Sequence, residues 1–175
     1  MRFVTFRGSR GEPCAGVVLR GQVADLSHPA CAPLVGATAP TLLGMVEQGL
    51  AGWCERLGGA RFDAEVLLPM TGLTLLAPLR PGKVVGAAFN FTDALAERGM
   101  APPAEPVTFV RSGSTVIGPG EPILVPPDVG NVGYEAELAV VIGRRALRVS
   151  PADAMRHVAG YTAHNDVSGS DLVKG

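Results

Sequence analysis

The residues that invite chemistry are Glu135 and Glu137, two carboxylates two positions apart in an otherwise apolar run over residues 133–143. Side chains alternate along a strand, so the pair shares a face with Ala139 and Val141, while Tyr134, Ala136, Leu138, Val140 and Ile142 take the other. Two like charges about 4 Å apart repel by about 4 kcal/mol at an effective dielectric near 20, and partial burial raises that cost. Water, basic neighbours or a hard divalent cation can each relieve it. Oxygen donors at this spacing suit Mg²⁺, Mn²⁺ or Ca²⁺ better than zinc. A third carboxylate, Asp166, closes a stretch over 160–166 that reads as a strand with Thr162, His164 and Asp166 on one face.

The elements that must position these residues are short and turn-rich. The 175 residues include 23 Gly and 15 Pro, well above average usage, with 47% hydrophobic and 18% charged residues, which predicts a globular fold of short strands. A net charge of -1 offers no basic field for nucleic acid. Cys14, Cys31 and Cys54 are odd in number and lack metal-ligand spacing, so they read as free thiols of a reducing compartment. The charged amino terminus and the absence of a long uncharged apolar run exclude a membrane module and favour a cytoplasmic protein. Residues 1–7 and 15–26 read as a strand and a hairpin. An amphipathic helix is expected from Thr41, its cap, to Gly58 and Gly59, with Trp53 as a core anchor. Residues 66–81 read as a Pro-punctuated linker, which sets a boundary between a domain at 1–78 and a second at 79–175.

In the second region, residues 83–89 read as a strand. A brief polar helix follows, capped by Asn90 or Thr92, with Asp93 and Glu97 on one face. The Pro-rich loop 101–106 has the character of a mobile site cover. Strands are expected at 107–111 and within 112–123. Ser150, Pro151 and Asp153 start a helix that reaches about 158.

Taken together, Pro81-Gly82-Lys83-Val84-Val85-Gly86 with Asn90-Phe91-Thr92-Asp93, the span 109–122, Tyr134-Glu135-Ala136-Glu137-Leu138-Ala139-Val140-Val141-Ile142-Gly143, Val158-Ala159-Gly160-Tyr161 and Asn165-Asp166-Val167-Ser168 resemble the fumarylacetoacetate hydrolase family. Order and spacing agree over about residues 75–172. The resemblance implies an α+β, mainly β fold: a small N-terminal β/α domain followed by part of a mixed β-roll. It implies that Glu135, Glu137 and Asp166 are carboxylate ligands of Mg²⁺ or Mn²⁺, with Ca²⁺ an alternative, and that Asp93 completes the site in some members. It puts Glu97 where the family's lid carries a Glu three residues after a His. That His position is Ala94 here, so Glu97 is the candidate proton carrier. His164 is a core residue or a support behind the metal, Lys83 is structural, and His28 and His157 face solvent.

The substrates implied are small 2-oxo or 1,3-dicarbonyl carboxylic acids. C–C bond hydrolysis, decarboxylation or isomerisation would run through a metal-stabilised enolate, in a protein that is by default a homodimer. Without a His at 94, decarboxylation and isomerisation are favoured over hydrolysis, which needs a base for water. The family's Ser-Ala-Arg-Asp motif is Ser168-Gly169-Ser170-Asp171 here, and Lys174 lies too close to Asp171 to be the family's substrate-binding Lys. The roll is expected to continue beyond residue 175, in a truncated product or through another chain. The contrasting expectation is a catalytically impaired member that acts as a metal-binding or scaffold protein.

Overall fold

The computed structural model describes residues 1–169 and Asp171. Ser170 and Lys174, which carry expectations above, lie outside the described residues.

The first sheet forms from local pairings. β1 (Phe3–Arg7) pairs with β2 (Pro13–Leu19), which turns into β3 (Gln22–Asp25). The turn needs only Arg20 and Gly21, both with positive φ, the two-residue geometry that matches strand twist. After β3, a 3-10 turn at Pro29–Cys31 and the short α1 (Ala32–Val35) precede α2 (Leu42–Gly58). Neither short element is foreshadowed by periodicity, because each is too brief to display one. Thr41 caps α2 by accepting from the Gly44 N–H at 3.0 Å. Gly49 breaks the helix with φ 101 and ψ 97, so the single helix read from the sequence is two segments joined at a kink.

The expected linker at 66–81 is a structural part of this sheet. β4 (Leu67–Pro69) pairs with β3, and β5 (Leu75–Leu76) pairs with β1, giving the order β4-β3-β2-β1-β5. The prolines punctuate short edge strands, the position a residue without an N–H tolerates. One face of the sheet packs Ala15, Val17 and Ala24 against Met45, Trp53 and Leu57 of α2. The other buries Phe6, Cys14 and Val23. Trp53 is buried as expected, with the Arg56 guanidinium 4.7 Å from its ring centroid.

The later residues form two-stranded pairs. β6 (Lys83–Ala88) leads to α3 (Thr92–Glu97), whose N-cap is Phe91 without a side-chain bond, in place of the expected Asn90 or Thr92. β7 (Val107–Ser112) returns antiparallel to β6. The strand expected within 112–123 is absent. A 3-10 turn at Gly113–Thr115 stands there, and the following Gly and Pro residues sustain no ladder. β8 (Val132–Gly133) precedes β9 (Ala136–Ile142). Ser150 caps α4 (Pro151–Ala154), which tightens into 3-10 at Met155–His157. β10 (Val158–Asn165) pairs with β9, and β11 (Ser168–Gly169) pairs with β8. Beyond Ala77, the only hydrophobic side chain buried among the described residues is Leu95. No helix among them is long and apolar enough to cross a membrane.

Candidate metal centre

The register of β9 and β10 builds the site. Ala136 lies opposite Asn165 and Glu137 opposite His164, and one step beyond the paired strands Glu135 and Asp166 are backbone neighbours. That last step is fixed by the backbone: the Asp166 N–H donates to the Glu135 carbonyl at 2.9 Å. The Asn165 side-chain carbonyl accepts from the Glu135 N–H at 3.1 Å and holds the same corner. Opposed residues of an antiparallel pair share a face. Glu137 and His164 therefore share a face of the hairpin, and Glu135 and Asp166 are joined through their backbones at its end.

This acid face is the more covered of the two. Glu137, Ala139 and Val141 are half-buried, whereas Leu138, Val140 and Ile142 on the opposite face are 66%, 48% and 58% exposed. The apolar alternation that marks β9 in the sequence thus points to the open side. Glu135 stands just before the strand and is exposed.

Two of the acids already have partners. His164 Nδ1 lies 3.3 Å from Glu137 Oε2, with both side chains about a quarter exposed. His164 is thus in contact with Glu137 and not in the apolar core. Asp166 is the only charged residue buried among those described, at 5% exposure, and Arg111 of β7 meets it with Nε 2.6 Å from Oδ1. Arg111 Nη2 also donates to Ser168 Oγ at 3.4 Å. Sequence reasoning did not single out Arg111. The available signal was its period-two position, since Phe109 and Arg111 fall on the inner face of β7 while Val110, at 67% exposure, falls on the outer.

The residues suit a hard divalent cation in kind, three carboxylates and an imidazole, and in strand placement. Their side chains do not converge. Among the described residues, no three His, Cys, Asp or Glu side chains are gathered closely enough to hold an ion. Arg111 supplies the counter-charge at Asp166 instead.

The lid candidates stand apart. Asp93 and Glu97 are exposed on α3, and the recorded bond of Asp93 is a local one from the Ala94 N–H at 2.9 Å. An apolar cleft of about 320 Å³ lies between the end of β6 and the Pro-rich loop, lined by residues such as Phe89, Asn90, Pro103 and Pro106. It includes none of the acids. His28 and His157 are half-buried instead of solvent-facing: His28 Nδ1 accepts from the Ala30 N–H at 3.3 Å, and His157 Nδ1 lies 3.4 Å from the Arg144 carbonyl. Asp171 accepts from the Asn131 backbone and amide nitrogens at 2.9 and 3.0 Å, tying the loop before β8 to the segment after β11. The three cysteines are free, as expected.

The sequence profile described as Fumarylacetoacetate (FAA) hydrolase C-terminal matches residues 83–175. A bovine mitochondrial oxaloacetate tautomerase is 43% identical over 110 residues, which are 62% of this chain and 35% of that protein. A mitochondrial oxaloacetate tautomerase of Xenopus laevis is 34% identical over 175 residues, 98% of this chain and 53% of that one. The chain thus spans about half the length, or less, of the curated relatives it matches. Among solved structures, the fumarylacetoacetate hydrolase of Exiguobacterium antarcticum is 29% identical with a TM-score of 0.73, over 98% of this chain and 57% of that one. A Sphingobium maleylpyruvate hydrolase, solved in complex with manganese(II) and pyruvate, is 25% identical with a TM-score of 0.67, over 95% of this chain and 58% of that one.

Proposed function

The chain belongs to the fumarylacetoacetate hydrolase family, and from that premise we propose that it serves the conversion of small 2-oxo or 1,3-dicarbonyl carboxylic acids through an enolate. The observation that carries this reading is the cross-strand array of Glu135, Glu137, His164 and Asp166. The Mn²⁺ and pyruvate of the maleylpyruvate hydrolase support the choice of cation and of acid. A bound Mg²⁺ or Mn²⁺ would supply a Lewis acid for the substrate's oxygens. Glu135, Glu137 and Asp166 would hold it, and His164 would keep Glu137 oriented.

Within the range of reactions the family runs, proton movement between keto and enol forms suits this chain best. The oxaloacetate tautomerases among its relatives support that choice. Hydrolysis needs a base to activate water. Position 94, where the resemblance puts that base, is Ala. Glu97 is the remaining proton carrier on α3, and it is exposed. The test is deuterium exchange at C3 of oxaloacetate in D₂O, followed by proton NMR with millimolar Mg²⁺. Exchange that depends on both protein and Mg²⁺, and that Glu135→Gln/Glu137→Gln abolishes, is the expected result. Exchange no faster than Mg²⁺ alone sustains would remove the catalytic reading for this chain.

The non-catalytic alternative, a metal-binding or scaffold protein, is favoured by one observation: Ala94 stands where the resemblance puts the base, and Glu97 is exposed. It predicts Mn²⁺ binding without exchange.

A further inference from the structure

Asp166 receives its counter-charge from another hairpin. Arg111 comes from β7, with Nε 2.6 Å from Oδ1 and a guanidinium carbon 5.3 Å from the Phe109 ring centroid. The Phe109 ring in turn fills the space where a Cβ at Gly86, its partner on β6, would stand. The Arg111 head is therefore held between an aromatic face, Ser168 and Asp166. Its Nε is buried and makes no hydrogen bond, because the N–H is not aimed at the carboxylate. The contact is charge against charge.

We propose that Arg111 and a divalent cation are alternative counter-ions of Asp166, so that Arg111 sets how tightly this chain takes metal. The inference rests on the metal reading above. A carboxylate buried to this degree requires a compensating charge, and Arg111 provides it whenever no cation is there. A cation drawn to Asp166 meets one of two penalties. If Arg111 stays, a dication and a guanidinium repel at close range with twice the strength of two unit charges. If Arg111 leaves, its pair with Asp166 is lost. Both weaken metal binding. The opposing effect, the orienting help that a neighbour gives a ligand, is worth about ten- to a hundredfold in affinity and is smaller than the repulsion between a dication and a guanidinium at this range.

The test is Mn²⁺ titration of the whole chain, with free ion read by electron paramagnetic resonance, for the parent, Arg111→Met and Arg111→Lys. Arg111→Met should bind Mn²⁺ at least about tenfold more tightly, and Arg111→Lys, which keeps the charge, should stay within about threefold of the parent. A folded Arg111→Met chain with equal or weaker affinity would overturn the proposal. Because that variant leaves Asp166 uncompensated and risks unfolding, the parent gives a second measurement. Saturating Mg²⁺ should shift or broaden the Arg111 Nε–H resonance. An Mg²⁺-raised thermal midpoint with that resonance unmoved would equally overturn it. If neither parent nor Arg111→Met binds Mn²⁺, the metal reading falls and takes this inference with it. If the parent binds and Arg111→Met gains nothing, only this inference falls.

Discussion

Glu137 Oε2 and His164 Nδ1 meet at 3.3 Å across β9 and β10, in direct register. An imidazole so placed restricts a carboxylate that would otherwise sample several rotamers. Replacing it with Ala should lower Mn²⁺ affinity by about tenfold, the scale of losing an orienting partner behind a ligand. His164→Gln, which keeps a donor on that face, should recover part of the loss. Calorimetric titration of the two variants decides the point. Equal affinities for parent, Ala and Gln chains would reduce His164 to a packing residue.

Metal should stabilise this fold if the array binds it. Binding to the native state alone adds about 2.7 kcal/mol at one hundred times the dissociation constant. Thermal unfolding with and without Mn²⁺ should show that rise for the parent, and no rise for Glu135→Gln/Glu137→Gln. A rise that survives the double substitution would place the ion elsewhere.

Gly86 is required by the ring packed on it. Any Cβ at position 86 overlaps Phe109, which belongs to the register partner on β7. Gly86→Val should destabilise the β6–β7 hairpin by about 1–3 kcal/mol, the usual range for overpacking. It should also displace Arg111, which rests on the same ring. Hydrogen exchange by mass spectrometry should report faster amide exchange over residues 83–88 and 107–112. Unchanged exchange in both strands would contradict the packing.

The outer face of β9 is open and carries no part of the acid array. Leu138 and Val140, 66% and 48% exposed, lose little burial on substitution. Leu138→Lys/Val140→Lys should cost less than about 1 kcal/mol in the isolated chain. It should lower the fluorescence of a bound apolar dye and leave the Mn²⁺ response intact. A large loss of stability would mean that this face is covered in solution.

Cys14 and Cys31 are buried, and burial raises both thiols above their ordinary value, with the Asp25 carboxylate adding to the effect. A raised folded value means that folding favours the neutral thiol. The stability so gained is complete below the ordinary thiol range and is lost as pH climbs through the folded values. The thermal midpoint should therefore fall on the alkaline side. Iodoacetamide near pH 8 should label Cys54, which is partly exposed, before the other two. Labelling of Cys14 or Cys31 first would refute the assignment.

Much of this protein is written in short-range pattern. Period-two alternation identifies β1, β9 and β10, because each strand shows its two faces within five to eight residues. Thr41 and Ser150 announce helix starts through their own hydroxyls. The spacing of Glu135 and Glu137 puts both on one face, and the family motifs add Asp166. What alternation cannot tell is which face is covered, since that depends on what packs there. Here the apolar face of β9 is open, and Glu137 and Asp166 are the more enclosed. Nor does pattern reveal that 67–76 completes the first sheet, for strands of two or three residues have no period to read. Tertiary structure alone decided that Glu135 and Asp166 are backbone neighbours, that His164 meets Glu137, and that Arg111 reaches Asp166 from 55 positions earlier in the chain. Each is a pairing between strands distant in sequence, and register between such strands is set by packing and hydrogen bonding across the gap.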